Sequence, residues 1–199
     1  MLSSCAKRHG GGASGLPVRP RTERRARLDN RTIQQILRVN HAGERGAIRI
    51  YEAQITVARF FARSCVEPLE EMLSHERRHL EIFNRLLASR GVRHCHVLPL
   101  WAIGGATLGI VTGLLGSRAI WVCTAAVESV VNRHLDDQIR SLCGVDPEAL
   151  EAVLSIKRDE ETHRDTALEL GGVPGGAYRV LCCMIAGVTS FAISLSTKF

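Results

Sequence analysis

At 199 residues the chain is long enough to bury a hydrophobic core as one domain, without disulfides or metals as structural supports. Aromatic residues make up only 5% of the sequence, whereas aliphatic residues and alanine are frequent, which favours helices. The net charge of +6 comes from residues 1–28, which hold seven basic residues and one acid. Because the rest of the chain is neutral, we expect no nucleic-acid-binding surface.

The N-terminal segment, residues 1–27, is rich in arginine, glycine and serine and poor in acids. It contains no apolar run long enough for a secretory signal. This composition is typical of a mitochondrial transit peptide. The alternative is a disordered tail on a bacterial protein. In both cases we expect little fixed structure before residue 28, and a single folded domain over residues 28–199.

Two amphipathic helices are predicted next. Asp29 or Asn30 can cap the first, which contains the motif HAGERGA with Glu44 at its centre. The second begins near Pro68, because proline is tolerated in the first turn of a helix, and ends near Ser89.

The segment 97–116 is uncharged and mainly apolar, and its length meets the criterion for a membrane span. A single crossing, however, would place the chain before it and the chain after it on opposite sides of the bilayer. The glutamates and histidines described below, which lie on both sides of the segment in the sequence, could not then form one site. We therefore expect this segment to lie along the membrane surface. The alternative is a fully buried core helix.

Three further helices complete the predicted chain. One covers about residues 119–142, and the next begins with Asp146 as cap and Pro147 in the first turn and ends near Leu170. The last, about residues 176–195, is apolar and either completes the core or shares the membrane contact. Because no convincing alternating strand pattern occurs, we predict an all-α fold.

A repeated spacing of glutamate and histidine is the strongest signal in the sequence. Two ExxH pairs occur, and residues three apart share one face of a helix. In each case a single glutamate precedes the pair, by 32 positions to its glutamate and 35 to its histidine. The two sets are Glu44, Glu76 and His79, and Glu128, Glu160 and His163.

This set of four carboxylates and two imidazoles predicts a site for two metal ions. Glu, ExxH, Glu, ExxH on four helices is the ligand pattern of di-iron and di-manganese carboxylate bundles. Four carboxylates offset the charge of two divalent ions, and imidazole nitrogen suits iron. A lone ExxH is usually a solvated pair, but Glu128 lies in an apolar stretch where an unpaired carboxylate would be costly. Glu160 is preferred over Glu161, because only Glu160 is three residues from His163.

The motifs around these residues resemble a known family. HAGERGA, HERRHL, LPLW, CTAAVES and RDEETH, spread over residues 28–197, are similar to segments of the mitochondrial and proteobacterial demethoxyubiquinone hydroxylases. These enzymes are ferritin-like di-iron monooxygenases of ubiquinone biosynthesis. The resemblance implies a ferritin-like four-helix bundle with an added membrane-associating segment. It matches all six predicted ligands.

The resemblance also implies a reaction and its surroundings. The expected reaction hydroxylates the benzoquinone ring of a polyprenylated demethoxyubiquinone with O₂, two iron ions, and electrons from NADH or reduced quinone. The expected location is the matrix side of the mitochondrial inner membrane, or the cytoplasmic membrane of a bacterium. A lipid-binding partner protein, other ubiquinone-biosynthesis enzymes and a homo-oligomer are the implied associations.

His134 is a candidate for substrate contact, with a structural role as the alternative. Members of the family commonly carry aromatic residues where this chain has Arg45 and Leu135. The sequence does not say whether these two replacements alter binding of the quinone or transfer of electrons.

Two other functions are compatible with parts of the sequence. A ferritin-like iron oxidase or peroxidase would share the ligands but would not need the segment 97–116. A non-catalytic, membrane-associated helical scaffold would carry the charged residues on its surface and bind no metal. A measurement of iron in the purified protein distinguishes the scaffold, which would bind none, from both enzymes.

Overall fold

The computed structural model describes residues 21–96 and 98–197, with side chains from residue 30 onward. Within these ranges it contains six α-helices, one 3₁₀ turn and one π turn, and no β-strand, which confirms the all-α prediction. The helices are α1 (Arg21–Phe61), α2 (Val66–Ser89), α3 (Leu98–Leu114), α4 (Ser117–Leu142), α5 (Pro147–Ala167) and α6 (Ala177–Ser196).

Helix α1 starts earlier than the sequence predicted. The expected caps were Asp29 or Asn30, yet the helix begins at Arg21. The added residues, RTERRARL, are mostly good helix formers without glycine or proline, so they extend the helix. The expectation of little fixed structure before residue 28 is therefore wrong for residues 21–27. Residues 1–20, which make up most of the predicted transit peptide, lie outside the described part of the chain.

The start of α5 follows the prediction. The Asp146 side chain accepts a hydrogen bond from the Ala149 backbone N–H (3.0 Å), and Pro147 occupies the first helical position. Arg90, just past the end of α2, donates to both carboxylate oxygens of Asp146 and to Glu148 (2.7 Å). These contacts fasten the end of α2 to the beginning of α5.

Four helices form an antiparallel bundle. α1 and α4 run side by side, α2 packs against α1, α5 packs against α4, and α2 contacts α5. The two remaining helices, α3 and α6, cover the opposite face of the α1–α4 pair. The result is three layers of two helices each, with α1 and α4 in the middle.

The bundle interior is divided along its length. Two apolar clusters fill its two ends, one around Tyr51, Leu69 and Ile120, the other around Leu37, Phe83 and Ile156. The buried polar residues of the predicted site lie at intermediate positions on the same helices. The apolar packing therefore stops at a polar layer and resumes beyond it.

Glycines hold α3 directly on the backbone of α1. A Cβ added at Gly105 would lie 2.5 Å from the Gly46 carbonyl oxygen, and one at Gly109 would lie 2.4 Å from the Ile50 oxygen. The residue numbers of the contacts increase together along the two helices, so α3 runs parallel to α1. The segment 97–116 therefore remains with the bundle.

The outer face of α3 is apolar and exposed, including Leu100, Ile103 and Leu114. The alternative of a fully buried core helix is therefore wrong, because only one side of α3 is covered.

Helix α6 has the same two-sided character. Ile185 packs on Cys123 and Ala126 of α4, and the Trp101 indole N–H of α3 donates to the Ser196 hydroxyl (2.7 Å). Its other side exposes apolar residues, with Val188 and Phe191 64% and 67% exposed. By length and composition, α6 is the one described helix that could cross a membrane. It therefore both completes the core and leaves an apolar face uncovered.

We predict that Gly109→Ala destabilises the protein by about 1–3 kcal/mol, because the new methyl group overlaps the Ile50 carbonyl and α3 must move. Gly104→Ala is the matched control on the same helix, since its Cβ meets nothing within 4 Å. It should change the free energy of unfolding by less than about 1 kcal/mol, in the stabilising direction. Urea denaturation of both variants checks this, and equal effects would contradict the close packing.

Asp146→Ala should destabilise the fold by about 1–2 kcal/mol through loss of the cap, whereas Asp146→Asn keeps the accepting oxygen and should cost less.

The Arg90 guanidinium lowers the pKa of Asp146 below its ordinary value. The stabilisation is therefore present above that ordinary pKa and is lost as pH falls through the lowered one. Denaturation midpoints at several pH values measure it. Asp137→Ala, which breaks an exposed pair with Arg140, should change stability by less than about 0.5 kcal/mol.

Candidate metal centre

All four helices of the bundle contribute to one buried polar cluster. Each of its six side chains belongs to a residue that is no more than 7% exposed. The cluster consists of Glu44 from α1, Glu76 and His79 from α2, Glu128 from α4, and Glu160 and His163 from α5. The structure therefore brings together the six residues that the repeated spacing singled out.

The six residues form two overlapping groups. In each group, four potential ligand atoms lie within 4.8 Å of one another. One group contains Glu44 and His79, the other contains Glu128 and His163, and both contain Glu76 and Glu160. Each group thus has one glutamate and one histidine of its own, and two glutamates that could bridge a pair of ions.

Both histidines turn the same nitrogen inward. His79 Nδ1 lies 3.1 Å from Glu160 Oε1 and 3.7 Å from Glu44 Oε2. His163 Nδ1 lies 3.0 Å from Glu160 Oε2 and 3.3 Å from Glu76 Oε1. The inward Nδ1 atoms are consequently the nitrogens that could bind a metal ion, and the Nε2 atoms face outward.

Crowding of carboxylates dominates the electrostatics of the cluster. Burial raises the pKa of Glu44, and it raises the pKa values of Glu76 and Glu128 well above the usual range, where repulsion from Glu160 adds to it. Burial also opposes ionisation of Glu160, but contacts with His163 and His79 outweigh it and lower its pKa to about 2.

The imidazoles take the complementary positive charge. Burial alone would lower the pKa of His79, yet contacts with Glu160 and Glu44 raise it to about 12. Contacts with Glu160 and Glu76 likewise outweigh burial at His163 and raise its pKa to about 11. Positive charge is therefore favoured between the carboxylates, at the place where metal ions would supply it.

The residues fit a pair of divalent ions. Glu76 Oε1 and His79 Nδ1 are buried and lie 3.3 Å and 3.1 Å from an oppositely charged partner, but neither makes a well-aligned hydrogen bond, which is costly for polar atoms unless an ion satisfies them. Carboxylate oxygens and imidazole nitrogens in this ratio are ligands that iron and manganese accept. The cluster is therefore compatible with metal binding.

Four other positions noted in the sequence lie outside the cluster. Glu161 faces Lys157 (2.8 Å) on the outer side of α5. Leu135 is buried in the apolar cluster around Phe83, and Arg45 is exposed. His134 lines a separate groove with Gln35 and Thr197 near the end of the bundle, so its substrate contact remains a prediction.

Sequence reasoning missed three residues beside the cluster. Tyr51 donates a hydrogen bond to Glu128 Oε1 (3.1 Å), Asp159 accepts one from His79 (2.9 Å), and His75 contacts His163 Nε2 through its own Nδ1 (3.1 Å). Tyr51 is seven residues after Glu44, hence on the same helix face, and that spacing could have found it. Asp159 and His75 directly precede Glu160 and Glu76 in the sequence. Each, however, contacts a histidine on the opposite helix, and no local sequence pattern reveals such a contact.

A small cavity, of about 10 Å³, adjoins the cluster on the side of α3 and α6. Glu128 and Tyr51 form its polar wall, and apolar or small residues of α1 and α4 form the rest, including Ile50, Cys123 and Val127. The cavity therefore lies beside the polar cluster, among residues that also pack against α3 and α6.

Comparisons with known proteins identify the relatives of this chain. The family model described as ubiquinone biosynthesis protein COQ7 matches residues 31–196. The rat protein named "NADPH-dependent 3-demethoxyubiquinone 3-hydroxylase, mitochondrial" is 40% identical over 177 residues, 86% of this chain and 80% of the relative. The human protein of that name is 39% identical over 179 residues, 86% and 81% of the two chains. The Rhodospirillum rubrum "3-demethoxyubiquinol 3-hydroxylase" is 38% identical over 168 residues, 83% and 78%. The resemblance in the motifs is thus confirmed.

The sharing of ligands leads to a prediction about metal content. Wild-type protein reconstituted with Fe²⁺ should bind about two ions per chain. Glu160→Ala, which removes a shared carboxylate, should abolish binding of both ions, whereas Glu44→Ala should leave about one. Glu161→Ala, one residue away on the surface, is the control and should bind as wild type. Metal analysis after removal of free iron measures this, and equal losses in the three variants would contradict the arrangement.

Proposed function

The chain belongs to the family of ubiquinone biosynthesis protein COQ7, and on that premise we propose that it hydroxylates the ring of demethoxyubiquinone at the six-residue cluster. The observation that carries the assignment to this site is the pair of overlapping ligand groups inside the bundle. The chain is therefore an enzyme of ubiquinone biosynthesis, a monooxygenase. The relatives' names support neither an iron oxidase nor a non-catalytic scaffold.

Two iron ions are the proposed cofactor, held by the shared glutamates Glu76 and Glu160 and by one further glutamate and histidine each. Bound iron would supply reversible electron transfer and the open coordination positions that O₂ activation requires. The protein keeps this chemistry in a buried layer between two apolar clusters, which limits access of water. Tyr51 restrains Glu128 by its hydrogen bond and keeps the carboxylate oriented beside the cavity.

The quinone ring is proposed to approach from the side of Glu128 and Tyr51, where the cavity of about 10 Å³ has room for about one water molecule and would have to widen to admit a ring. The cavity lies between the cluster and the α3–α6 layer, and its other walls are largely apolar, as an alkylated ring requires. A polyprenyl tail would leave the protein on that side. The ring would then reach the site while the tail remained in an apolar phase.

The uncovered faces of α3 and α6 are the proposed membrane contact. Both helices bury one side on α1 and α4 and expose apolar residues on the other, among them Ile110, Val111 and Phe191. From Leu98 to Gly116 the chain carries no charged residue. An apolar surface of this kind can lie in the interface of a bilayer without crossing it. We propose peripheral binding to the matrix side of the mitochondrial inner membrane, or to the cytoplasmic membrane if the chain is bacterial; the word mitochondrial in the names of the eukaryotic relatives supports the first.

The electron source and protein partners belong to the same proposal. The mammalian relatives are named NADPH-dependent, whereas the resemblance to the family implied NADH or reduced quinone. The bacterial relative is named for the reduced quinone, demethoxyubiquinol. We infer that a reduced nicotinamide or the quinol substrate supplies the two electrons. A lipid-binding protein that delivers the quinone, and other enzymes of the pathway, are the expected partners.

Loss of a ligand should abolish the reaction. Cells lacking the protein should accumulate demethoxyubiquinone, and expression of the wild-type chain should restore ubiquinone. Glu128→Ala should fail to restore it, because one metal loses its terminal carboxylate, whereas Glu161→Ala should restore it fully. Mass spectrometry of extracted quinones measures both species, with immunoblots to equalise protein levels. Ubiquinone formation by Glu128→Ala would disprove the assignment.

Membrane binding should depend on the apolar face of α6. Phe191→Glu should weaken binding to phospholipid vesicles roughly tenfold or more, since burial of one phenylalanine contributes about 1.5–3 kcal/mol. Leu154→Glu changes an exposed apolar residue on α5, in the opposite layer, and should bind as wild type. Vesicle co-sedimentation distinguishes the two, and equal binding by both variants would contradict the proposed face.

A further inference from the structure

The two histidines of the cluster are supported by chemically different partners. The outward Nε2 of His79 lies 2.9 Å from the carboxylate oxygen Oδ2 of Asp159. The outward Nε2 of His163 lies 3.1 Å from Nδ1 of His75, and the two rings are stacked with centroids 5.1 Å apart. Each half has one terminal glutamate and two shared ones, and Tyr51 donates a hydrogen bond to the terminal glutamate of the second half, Glu128.

We propose that His75 and Asp159 are positioning residues that make the two metal positions unequal, an inference that rests on the proposed two-metal site. An imidazole that binds a metal through Nδ1 must carry its proton on Nε2, and that N–H needs an acceptor. Asp159 supplies a charged oxygen to His79. His75 supplies a neutral ring nitrogen to His163.

The difference affects the basicity of each ligand. A carboxylate that accepts the outer N–H draws the proton towards itself and makes the inner nitrogen a stronger donor to the metal. A neutral imidazole acceptor orients the ring in the same way but has a weaker effect on its basicity. The ion beside His79 and Glu44 should therefore be bound more tightly, and be more electron-rich, than the ion beside His163 and Glu128.

The placement of the two partners supports a positioning role. Each lies on the helix opposite its histidine, Asp159 on α5 facing α2 and His75 on α2 facing α5, so each also fixes one helix against the other. Neither is fully buried, and the Asp159 side chain is 36% exposed. Substitution at these positions therefore need not disrupt the core, which makes the proposal open to test.

The experiment uses the full chain loaded anaerobically with two equivalents of ⁵⁷Fe²⁺ and examined by Mössbauer spectroscopy. The wild type should show two unlike components of equal area. His75→Phe keeps a ring but removes the acceptor, and it should alter only one component. Asp159→Leu should alter only the other. His75→Asn places an accepting oxygen near the original Nδ1 and should keep the wild-type spectrum. If His75 only filled space, the ring of His75→Phe would preserve the spectrum better than the smaller Asn.

Metal affinity gives a second readout. In a Co²⁺ titration of apoprotein, Asp159→Leu should weaken one of the two binding steps by about 100-fold and His75→Phe the other by about tenfold. Asp165→Asn removes an exposed carboxylate elsewhere on α5 and should leave both steps unchanged.

The possible outcomes separate this inference from the proposed function. A wild-type protein that binds no metal would overturn both. A wild type that binds two ions but shows a single spectral component, or variants that change both components together, would overturn the inequality alone.

Discussion

The structure depends on the burial of four carboxylates in the middle of a helical bundle. Glu44, Glu76, Glu128 and Glu160 cannot all be ionised there without positive charge between them, because burial and mutual repulsion oppose it. Protons on His79 and His163 meet part of this need. Metal ions would meet it more fully, with directional bonds that hold four helices at fixed distances. The same groups therefore govern both the packing of the bundle and its chemistry.

Much of this arrangement could be predicted from spacing alone. The repeat of 32 and 35 positions reflects two antiparallel helix pairs of matching length, and it places all six side chains in one layer. The three-residue rule also separated Glu160 from Glu161, which pairs with Lys157 on the outer side of α5. Helix starts marked by proline and an Asp cap were predicted closely, since local chemistry sets them. The early start of α1 was missed because good helix formers need no cap signal.

What the sequence could not provide are relations between helices. Which glutamates are shared between the two ligand groups depends on how α2 and α5 face each other. The same contact brings His75 to His163 and Asp159 to His79, each pair more than 75 positions apart in the chain. The path of the segment 97–116 was likewise ambiguous, because hydropathy does not distinguish a span from a helix that is covered on one side. The glycine contacts with α1 decide it.

The contact between Gly105 and the Gly46 carbonyl changes how inherited or engineered substitutions in this protein should be interpreted. Judged by hydropathy, glycine to alanine or valine within an apolar helix is a mild change. Here an added methyl group would lie 2.5 Å from the backbone of α1, two residues from Glu44. Substitutions in this segment would thus displace the helix that carries Glu44, so a defect that resembles loss of the proposed membrane contact would originate at the proposed metal site.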